Sequence, residues 1–364
     1  MLDNVHNDVK FPAGKSDDYI YIAGDIHGHN VVIATIPSEH SHGVAAMASL
    51  ARDIKAKFPD VLFGLLVGVA SGLPDSSRIP PRDIRLGDVL VAEGENGGAC
   101  ILSYGQGAET AELAEVNLVS TRTTARLFGA GIGKMKSTGA DQWTSFRRHY
   151  QGLLAKEVKN NTTFQDPGQD KDIVSPTSQA TNPGTIPRRP VQSRSRLDNE
   201  LIQMAPLAGP SGRVPNSLPN QRQSRANDER IQVWYGKLGS GDDLKENPRK
   251  RHEPKERYDI IGLETGAASV MDVIEKVGVI RGVCDYGNGQ NVDWKPYAAA
   301  TAAAYAKELL YNIDPDTELN RTEAQGSQSD GGSGKNPGEG TAVEVELLPT
   351  PRLSLKIPLR RLFA

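Results

Sequence analysis

The sequence predicts an α/β protein, a three-layer α/β/α sandwich built on a mixed, mainly parallel central sheet. Strand-like and helix-like segments alternate over residues 19–103 and again from residue 231 onward, as in sheets covered by helices on both faces. Residues 61–69 form a continuous apolar run, which is typical of a strand buried on both sides. A long polar stretch lies between the two halves, so the prediction includes a long disordered insertion.

The first half of the predicted domain covers residues 18–105. Residues 24–29 are polar and separate two short β-rich runs, which favours a hairpin. Residues 43–58 carry apolar side chains at helical spacing, so a helix is expected there. The strands predicted in this half cover residues 19–23, 30–35, 61–69, 87–92 and 99–103.

The second half of the predicted domain covers residues 231–313. Three strands are expected, and two helices, the second of which is rich in alanine. Small side chains along that helix favour close packing against a sheet. The strands predicted here cover residues 231–235, 258–262 and 277–284, and the helices cover residues 265–274 and 296–310.

Two further regions are predicted to lie outside the folded core. Residues 106–230 are interpreted as a low-complexity, disordered insertion, because residues 161–229 are dense in Pro, Ser, Asn, Gln and Arg. Such a composition buries too little apolar surface to offset the entropy lost on ordering. Residues 142–156 are expected to form an isolated amphipathic helix. Residues 314–364 are interpreted as a flexible tail with a Gly/Ser-rich linker.

Composition excludes several kinds of partner. The 364 residues include 42 basic and 45 acidic side chains, a net charge of −3, which gives no reason to expect a nucleic acid or a membrane surface as partner. No apolar run is long enough to span a membrane, and the segment after Met1 is polar rather than signal-like. Cys100 and Cys284 lie in apolar runs, which is typical of buried free thiols. A cytoplasmic location is expected.

The segment Gly24-Asp25-Ile26-His27-Gly28-His29 resembles the first metal-binding motif of calcineurin-type metallophosphoesterases. Carboxylate and imidazole groups are suitable ligands for a dinuclear metal centre. That family also carries a Gly-Asp-x-x-Asp-Arg-Gly block and a Gly-Asn-His block. Here the segment at Gly87-Asp88 lacks the second Asp and the Arg-Gly, and no Asn-His pair follows Asn30. The motif is therefore interpreted as a polar hairpin turn, with no metal and no cofactor expected.

Three other segments carry the residues expected to do chemistry. The first, residues 67–73, ends an apolar strand with small residues that include Gly68, Val69 and Ala70, and small residues let backbone amides approach a ligand closely. The other two segments supply acidic and hydroxyl groups after predicted strands. They contain Ser240 and Asp242, then Glu264, Thr265 and Gly266, and finally Asp285 at the end of the strand at residues 279–285.

Together these segments resemble the purine and uridine phosphorylase superfamily, which includes methylthioadenosine/S-adenosylhomocysteine nucleosidase. The resemblance is greatest to fungal members, in which this domain often heads multidomain NACHT or ankyrin-repeat proteins. It covers residues 18–103 and 233–313, and residues 279–286 with residues 293–300 are its most specific part. It implies a protein that binds purine nucleosides and cleaves, or descends from enzymes that cleave, their N-glycosidic bond.

The resemblance also implies roles for single residues. Asp285 matches the acid that protonates, or hydrogen-bonds to, N7 of the leaving purine. The substrate would lie against the other residues that match the family's motifs. These are Gly68, Val69, Ala70, Ser240, Asp242, Glu264 and Thr265.

The chain departs from the family's pattern at three places. Gly266 stands where the family has the glutamate that accepts hydrogen bonds from the ribose hydroxyls. The family's opening strand has no counterpart in residues 1–16. Leu66 and Val67 stand where phosphorylases have an arginine, so water is the favoured acceptor over phosphate.

Two further points follow from the resemblance. Family members often form homo-oligomers in which a neighbouring subunit completes the pocket. The departures favour an alternative to catalysis, a degenerate nucleoside-sensing or interaction module.

Overall fold

The computed structural model describes residues 1–9, 11, 19–36, 43–105, 117–137, 142–156, 163–174, 222–241, 257–287, 293–315 and 353–356. Its strands are β1 (Asn4–Val5), β2 (Ile20–Ile26), β3 (His29–Thr35), β4 (Gly64–Gly72), β5 (Val89–Ala92), β6 (Ala99–Gly105), β7 (Asn117–Thr123), β8 (Val233–Ser240), β9 (Ile260–Glu264), β10 (Val277–Asp285) and β11 (Leu353–Lys356). Its α-helices are α1 (Val44–Lys57), α2 (Arg126–Ser137), α3 (Gln142–Lys156), α4 (Ala267–Met271) and α5 (Trp294–Tyr311). Within these ranges no helix is both long and apolar enough to cross a membrane.

The strands form one mixed sheet, which confirms the predicted fold class. Its order is β1-β2-β3-β11-β4-β10-β5-β8-β6-β7, and parallel pairings slightly outnumber antiparallel ones among the described strands. Strand β9 lies off this path and pairs with both β4 and β8. Strands β4, β10, β5, β8 and β9 therefore close into a ring, a feature that the sequence pattern does not indicate.

Helices cover both faces of this sheet. On one face α5 packs against β10, β4 and β5, with α2 and α3 packed on α5. The approach is so close that a Cβ at Gly282 of β10 would lie 1.8 Å from the carbonyl oxygen of Ala298 in α5. The side chain of Arg281 reaches Glu264, just before α4. Since neighbouring side chains on a strand point to opposite faces, α4 and α5 lie on opposite faces of β10.

The polar turn between β2 and β3 is a two-residue hairpin, as expected. His27 and Gly28 both have positive φ, 48° and 81°, which suits the right-handed twist of the two strands. The side chains of the motif are held by other groups. Asp25 binds Asn4 and His6, and His29 contacts the backbone carbonyls of residues 310 and 313 in and after α5.

The prediction of disorder over residues 106–230 is wrong for the part of this range that the structure describes. It contains β7, α2 and α3, and the side chains of Phe128 and Phe146 are fully buried in the main core. The α3 helix is not isolated, since the rings of Phe146 and Tyr305 in α5 lie 5.6 Å apart. Tertiary burial outweighs the polar composition here. The rest of the range lies outside the described residues.

The tail prediction is also wrong for one segment. Residues 353–356 form β11, which lies inside the sheet and pairs in parallel with β3 and with β4. The remaining residues from 316 onward lie outside the described ones.

Candidate functional site

The strand register brings the segments that carry the predicted site together at one end of β4. Ser71 of β4 is the register partner of Asp285 on β10 and of Leu263 on β9. Glu264 follows Leu263 directly. Because neighbouring strands lie about 4.8 Å apart, the backbones of Asp285 and Leu263 are about two strand spacings, roughly 10 Å, apart. That separation suits a bound nucleoside.

Asp285 ends β10 and begins the turn that follows it. Its side chain is half-buried, and Oδ1 accepts a hydrogen bond of 2.6 Å from the backbone N–H of Gly287. The Sγ atom of Cys284 lies 3.5 Å from Oδ2. The carboxylate is thus held at the carboxyl-terminal end of β10 and keeps part of its surface exposed to solvent.

Glu264 lies deeper than a solvent-facing ligand residue would. Its side chain is 1% exposed, and Oε2 lies 2.6 Å from Nη2 of Arg281. The backbone N–H groups of Gly266 and Ala267 donate to the same carboxylate at 2.9 Å. Burial alone would raise the pKa of Glu264, but Arg281, Ser240 and these two amides hold it below its ordinary value.

In this arrangement Glu264 faces protein groups rather than an open cleft. Its carboxylate is shared between Arg281 and the start of α4, so it fixes the junction of β9, β10 and α4. A direct hydrogen bond to ribose would require that ion pair to open. The predicted ribose contact remains a prediction that this geometry does not favour.

Gly266 has no room for a larger side chain. An ideal Cβ built on it would lie 2.4 Å from Cγ and 3.0 Å from Cβ of Met47 in α1. Met47 therefore fills the space beside residue 266. This is the position at which the family named in the sequence analysis has a glutamate that binds the ribose hydroxyls. Thr265, which was predicted to contact the substrate, is half-buried.

The residues of β4 that were predicted to contact the substrate lie within the strand, where they pair with β10, and not in a loop. Gly68, Val69 and Ala70 pair in register with Arg281, Gly282 and Val283. Ser71 follows them with a side chain that is 1% exposed. Among the described residues its Oγ has no hydrogen-bond partner. A buried hydroxyl of this kind at a strand end is a candidate ligand contact that the sequence analysis did not assign.

Ser240 and Asp242 were both predicted to contact the substrate, and the structure describes only the first of them. Ser240 is buried, and its Oγ accepts a hydrogen bond of 3.2 Å from the backbone N–H of Ala268 at the start of α4. It supports the same junction as Glu264. Asp242 lies outside the described residues.

A strap, defined as residues 163–174 and 222–232, packs against the strand ends beside this site. Its anchor is Asp88, which is fully buried and binds the guanidinium of Arg225 at 2.6 Å. Gln232 N–H and Trp234 Nε1 also donate to Asp88, each at 2.9 Å. The strap is thus held by an ionic anchor as well as by apolar burial, since Phe164, Val174 and Ile231 are buried in the main core.

The strap also contacts the residue that follows Asp285. The hydroxyl of Tyr286 donates a 2.5 Å hydrogen bond to Asp172, and Arg222 lies 3.2 Å from the same hydroxyl. Burial raises the pKa of Asp172, although this hydrogen bond opposes the shift. Sequence reasoning missed the strap up to residue 230, where the signals for it are arginines and isolated apolar residues in a stretch otherwise typical of disorder.

An open cleft lies elsewhere on the molecule. Its volume is about 780 Å³, and it runs between the loop that contains Arg78 and Arg82 and the end of β5 at Glu93. It is lined by four basic side chains, Arg78, Arg82, Lys136 and Lys237, and by three acidic ones, Glu93, Glu95 and Asp259. Among the residues that the structure describes, none of those predicted for the site lines this cleft.

Comparison with known proteins gives one curated relative and several solved structures. No family model matches the chain. A "nucleotide-binding leucine-rich repeat (NLR)-like protein" from Hyaloscypha variabilis is 27% identical over 319 residues, which is 86% of this chain. The chain spans 28% of the length of that relative.

Solved structures similar to the chain include three bacterial enzymes. Futalosine hydrolase of Helicobacter pylori is 12% identical with a TM-score of 0.44, over 84% of this chain and 90% of that one. The methylthioadenosine/S-adenosylhomocysteine nucleosidase of Neisseria meningitidis is 12% identical with a TM-score of 0.43, over 87% and 91%. The corresponding nucleosidase of S. pneumoniae is 14% identical with a TM-score of 0.44, over 86% and 92%. The structural neighbours of this chain are therefore methylthioadenosine/S-adenosylhomocysteine nucleosidases and a futalosine hydrolase.

Proposed function

We propose that this chain is a nucleoside-binding domain of the purine and uridine phosphorylase superfamily, with a site related to those that cleave the purine N-glycosidic bond. One observation carries the proposal. The register partners of Ser71 are Asp285 on one side and Leu263 on the other, so the motif residues from three separate strands meet at one strand end. A chance resemblance in three segments would not be expected to converge in this way.

The proposed ligand is a purine nucleoside whose base faces Asp285. A half-buried carboxyl group at a strand end suits a hydrogen bond to a base nitrogen. The buried Oγ of Ser71 is the second polar contact, since it lies in register beside Asp285 and has no partner among the described groups. Glu264 acts through Arg281 and the start of α4, and so positions this site rather than binding the sugar.

If the domain is catalytically active, water is the proposed acceptor of the sugar. The bond between the sugar C1′ and the purine nitrogen breaks, and a water oxygen forms the new bond to C1′. Asp285 delivers a proton or a hydrogen bond to the leaving base, and the proton lost by water restores the acid. The acid is needed because the base leaves with negative charge while the sugar becomes oxocarbenium-like.

Release of free base from adenosine, inosine and methylthioadenosine by the purified chain tests the catalytic form of the proposal. Asp285→Asn is expected to lower the rate by about 10²–10⁴-fold, the usual contribution of a general acid. Asp60→Asn is the matched control, because Asp60 is exposed and precedes the amino-terminal end of β4, whereas the site lies at the other end of that strand. Base release that is unchanged in Asp285→Asn would refute the assigned role.

The packing of Met47 against Gly266 favours a second candidate, a module that binds nucleosides without cleaving them. The space beside residue 266 is taken by an apolar side chain, so no carboxylate stands at that position. The similar NLR-like protein is much longer than this chain, and its name describes nucleotide binding. A sensing domain within a larger protein would fit both observations.

Calorimetric titration separates the two candidates. Heat of binding with no free base after prolonged incubation supports the sensing module, whereas binding with base release supports the enzyme. Absence of both would contradict the nucleoside proposal in either form.

A further inference from the structure

The turn that follows β10 holds the carboxylate of Asp285. The backbone N–H of Gly287 donates to its Oδ1 at 2.6 Å, and Gly287 has a positive φ of 79°. An aspartate side chain that bonds to the backbone two residues further on is a common way to close a turn. The direction of this carboxylate therefore depends on where the backbone of residues 286 and 287 lies.

The middle residue of that turn, Tyr286, is fixed at the far end of its side chain. The side chain is 2% exposed, and its hydroxyl donates a 2.5 Å hydrogen bond to Oδ1 of Asp172. The Nη1 atom of Arg222 donates to the same hydroxyl at 3.2 Å, and its guanidinium lies 5.3 Å from the ring centroid. Burial and the charge of Asp172 raise the pKa of Tyr286, so the hydroxyl stays protonated and remains a donor.

The two partners of this hydroxyl come from different arms of the strap, and the arms are tied to each other. Asp172 lies in the first arm and Arg222 in the second. The side-chain amide of Gln169 donates to the backbone carbonyl of Arg225 at 2.9 Å and accepts from its backbone N–H at 2.8 Å. Tyr286 is thus bound to a cross-linked support rather than to one separate segment.

Tyr286 itself offers almost no surface to a ligand. Its side chain is buried, and its hydroxyl already donates to Asp172 and accepts from Arg222. Any part that it plays in the neighbouring site therefore acts through the backbone that it shares with Asp285 and Gly287.

We propose that Tyr286 is a positioning residue of the nucleoside site, and that its hydrogen bond to Asp172 sets the direction of the Asp285 carboxylate. This inference rests on the proposed function and adds the strap to it. A carboxylate that is already oriented loses less conformational freedom when a base binds, so the base is bound more tightly.

Nucleoside affinity tests this role. Tyr286→Phe removes only the hydroxyl. Calorimetric titration of the full chain with methylthioadenosine should give a dissociation constant about tenfold higher than that of the wild type, within the usual range for residues of one hydrogen-bond network. Tyr150→Phe is the matched control, because its hydroxyl donates to the backbone carbonyl of Phe164 in the same strap but not to the turn at Asp285. Its affinity should stay within about twofold of the wild type.

A double-mutant cycle separates positioning from a merely structural role. In the Asp285→Ala background there is no carboxylate to orient, so Tyr286→Phe should change the dissociation constant by less than about twofold. An equal loss of affinity in both backgrounds would overturn the positioning role, and so would equal affinities of the wild type and Tyr286→Phe. A wild-type chain that binds no nucleoside would contradict the proposed function itself.

Hydrogen exchange of the ligand-free chain tests the link between the strap and the turn without any nucleoside. Exchange of the Gly287 N–H should accelerate roughly fivefold in Tyr286→Phe, the factor that corresponds to one ordinary hydrogen bond. It should keep its wild-type rate in Tyr150→Phe. Unchanged exchange of Gly287 in Tyr286→Phe would overturn the proposal.

A second pair of variants covers the case in which Tyr286→Phe fails to fold. Asp172→Ala removes the acceptor of the hydroxyl and should accelerate exchange of Gly287 in the same way. Asp172→Asn keeps an acceptor oxygen in the same place and should retain most of the protection. An acceleration in Asp172→Asn as large as that in Asp172→Ala would contradict the role given to this hydrogen bond.

Discussion

At the scale of single residues, the site is defined by how its acidic groups are buried. Asp285 keeps part of its surface open, whereas Glu264 is 1% exposed and bound to Arg281. The sequence could predict that both carboxylates lie at strand ends, because each follows a β-rich run. It could not predict that one of them points inwards, since that depends on Arg281 reaching it from β10, a strand that does not pair with β9.

The ion pair of Glu264 and Arg281 should contribute strongly to stability. Glu264→Gln leaves a buried guanidinium without its counter-charge, which we expect to lower the free energy of unfolding by about 3–5 kcal/mol at pH 7. Urea denaturation measures this loss. Glu275→Gln is the control, because Glu275 is exposed and the change should cost little.

The loss of stability caused by Glu264→Gln should depend on pH. The folded-state pKa of Glu264 lies below its ordinary value of 4.5, so its stabilising effect is fully present above that value. The effect is lost as the pH falls through the folded-state pKa. The difference in stability between the wild type and Glu264→Gln should therefore shrink as the pH is lowered below about 4.5. A constant difference from pH 7 downwards would contradict the buried ion pair.

Gly266 offers a second test at this scale. Gly266→Ala places a methyl group against Met47 and should destabilise the chain by about 1–3 kcal/mol, as overpacking usually does. In the Met47→Ala background the penalty of the same substitution should largely disappear. Gly133→Ala is the control, since no atom lies within 4 Å of a Cβ at that helical position. If Gly266→Ala were as harmless as Gly133→Ala, Met47 would not fill the space assigned to it.

At the scale of elements, the sequence predicted the strands of both halves and the α1 helix from their periodicity. It missed α2 and β7 and took α3 to be isolated. Polar composition around residues 106–230 outweighed short apolar patterns such as Phe128 with Ile132, which become informative only once α5 is there to cover them.

The strap could not be predicted for a different reason. Its anchors are charged groups that meet partners far away in sequence, as Arg225 meets Asp88 and Arg222 meets Tyr286. Local composition cannot distinguish such residues from solvated ones. Ion pairs between distant segments carry no periodic signal.

The strap should detach when its anchor is removed. Arg225→Met leaves Asp88 buried without its cation, so exchange of residues 222–232 should accelerate more than that of α5. Arg52→Met is the control, because Arg52 is exposed on α1. Unchanged exchange over residues 222–232 would show that the strap is held by other contacts.

At the scale of the whole molecule, the fold class follows from the sequence but the topology does not. Alternating strands and helices predict an α/β sheet, and the sheet is mixed as expected. Closure of the ring by β9 and insertion of β11 are set by register and by long-range pairing. Neither feature can be predicted from local sequence patterns, because the alternation of apolar and polar residues along a strand does not indicate which strands pair with it.

The central claim is that a nucleoside binds where the ends of β4, β9 and β10 meet. The alternative binding site is the open cleft near Arg78 and Glu93. A nucleoside that binds at the strand ends should shield residues 70–73 and 283–287. A nucleoside that binds in the cleft should shield residues 78–82 and 93–96 instead.

Hydrogen exchange with and without saturating adenosine or methylthioadenosine measures this directly. The account predicts nucleoside-dependent protection at residues 70–73 and 283–287, weakened in Asp285→Asn and retained in Asp60→Asn. Protection confined to the cleft residues, or none at a concentration where calorimetry shows binding, would contradict it.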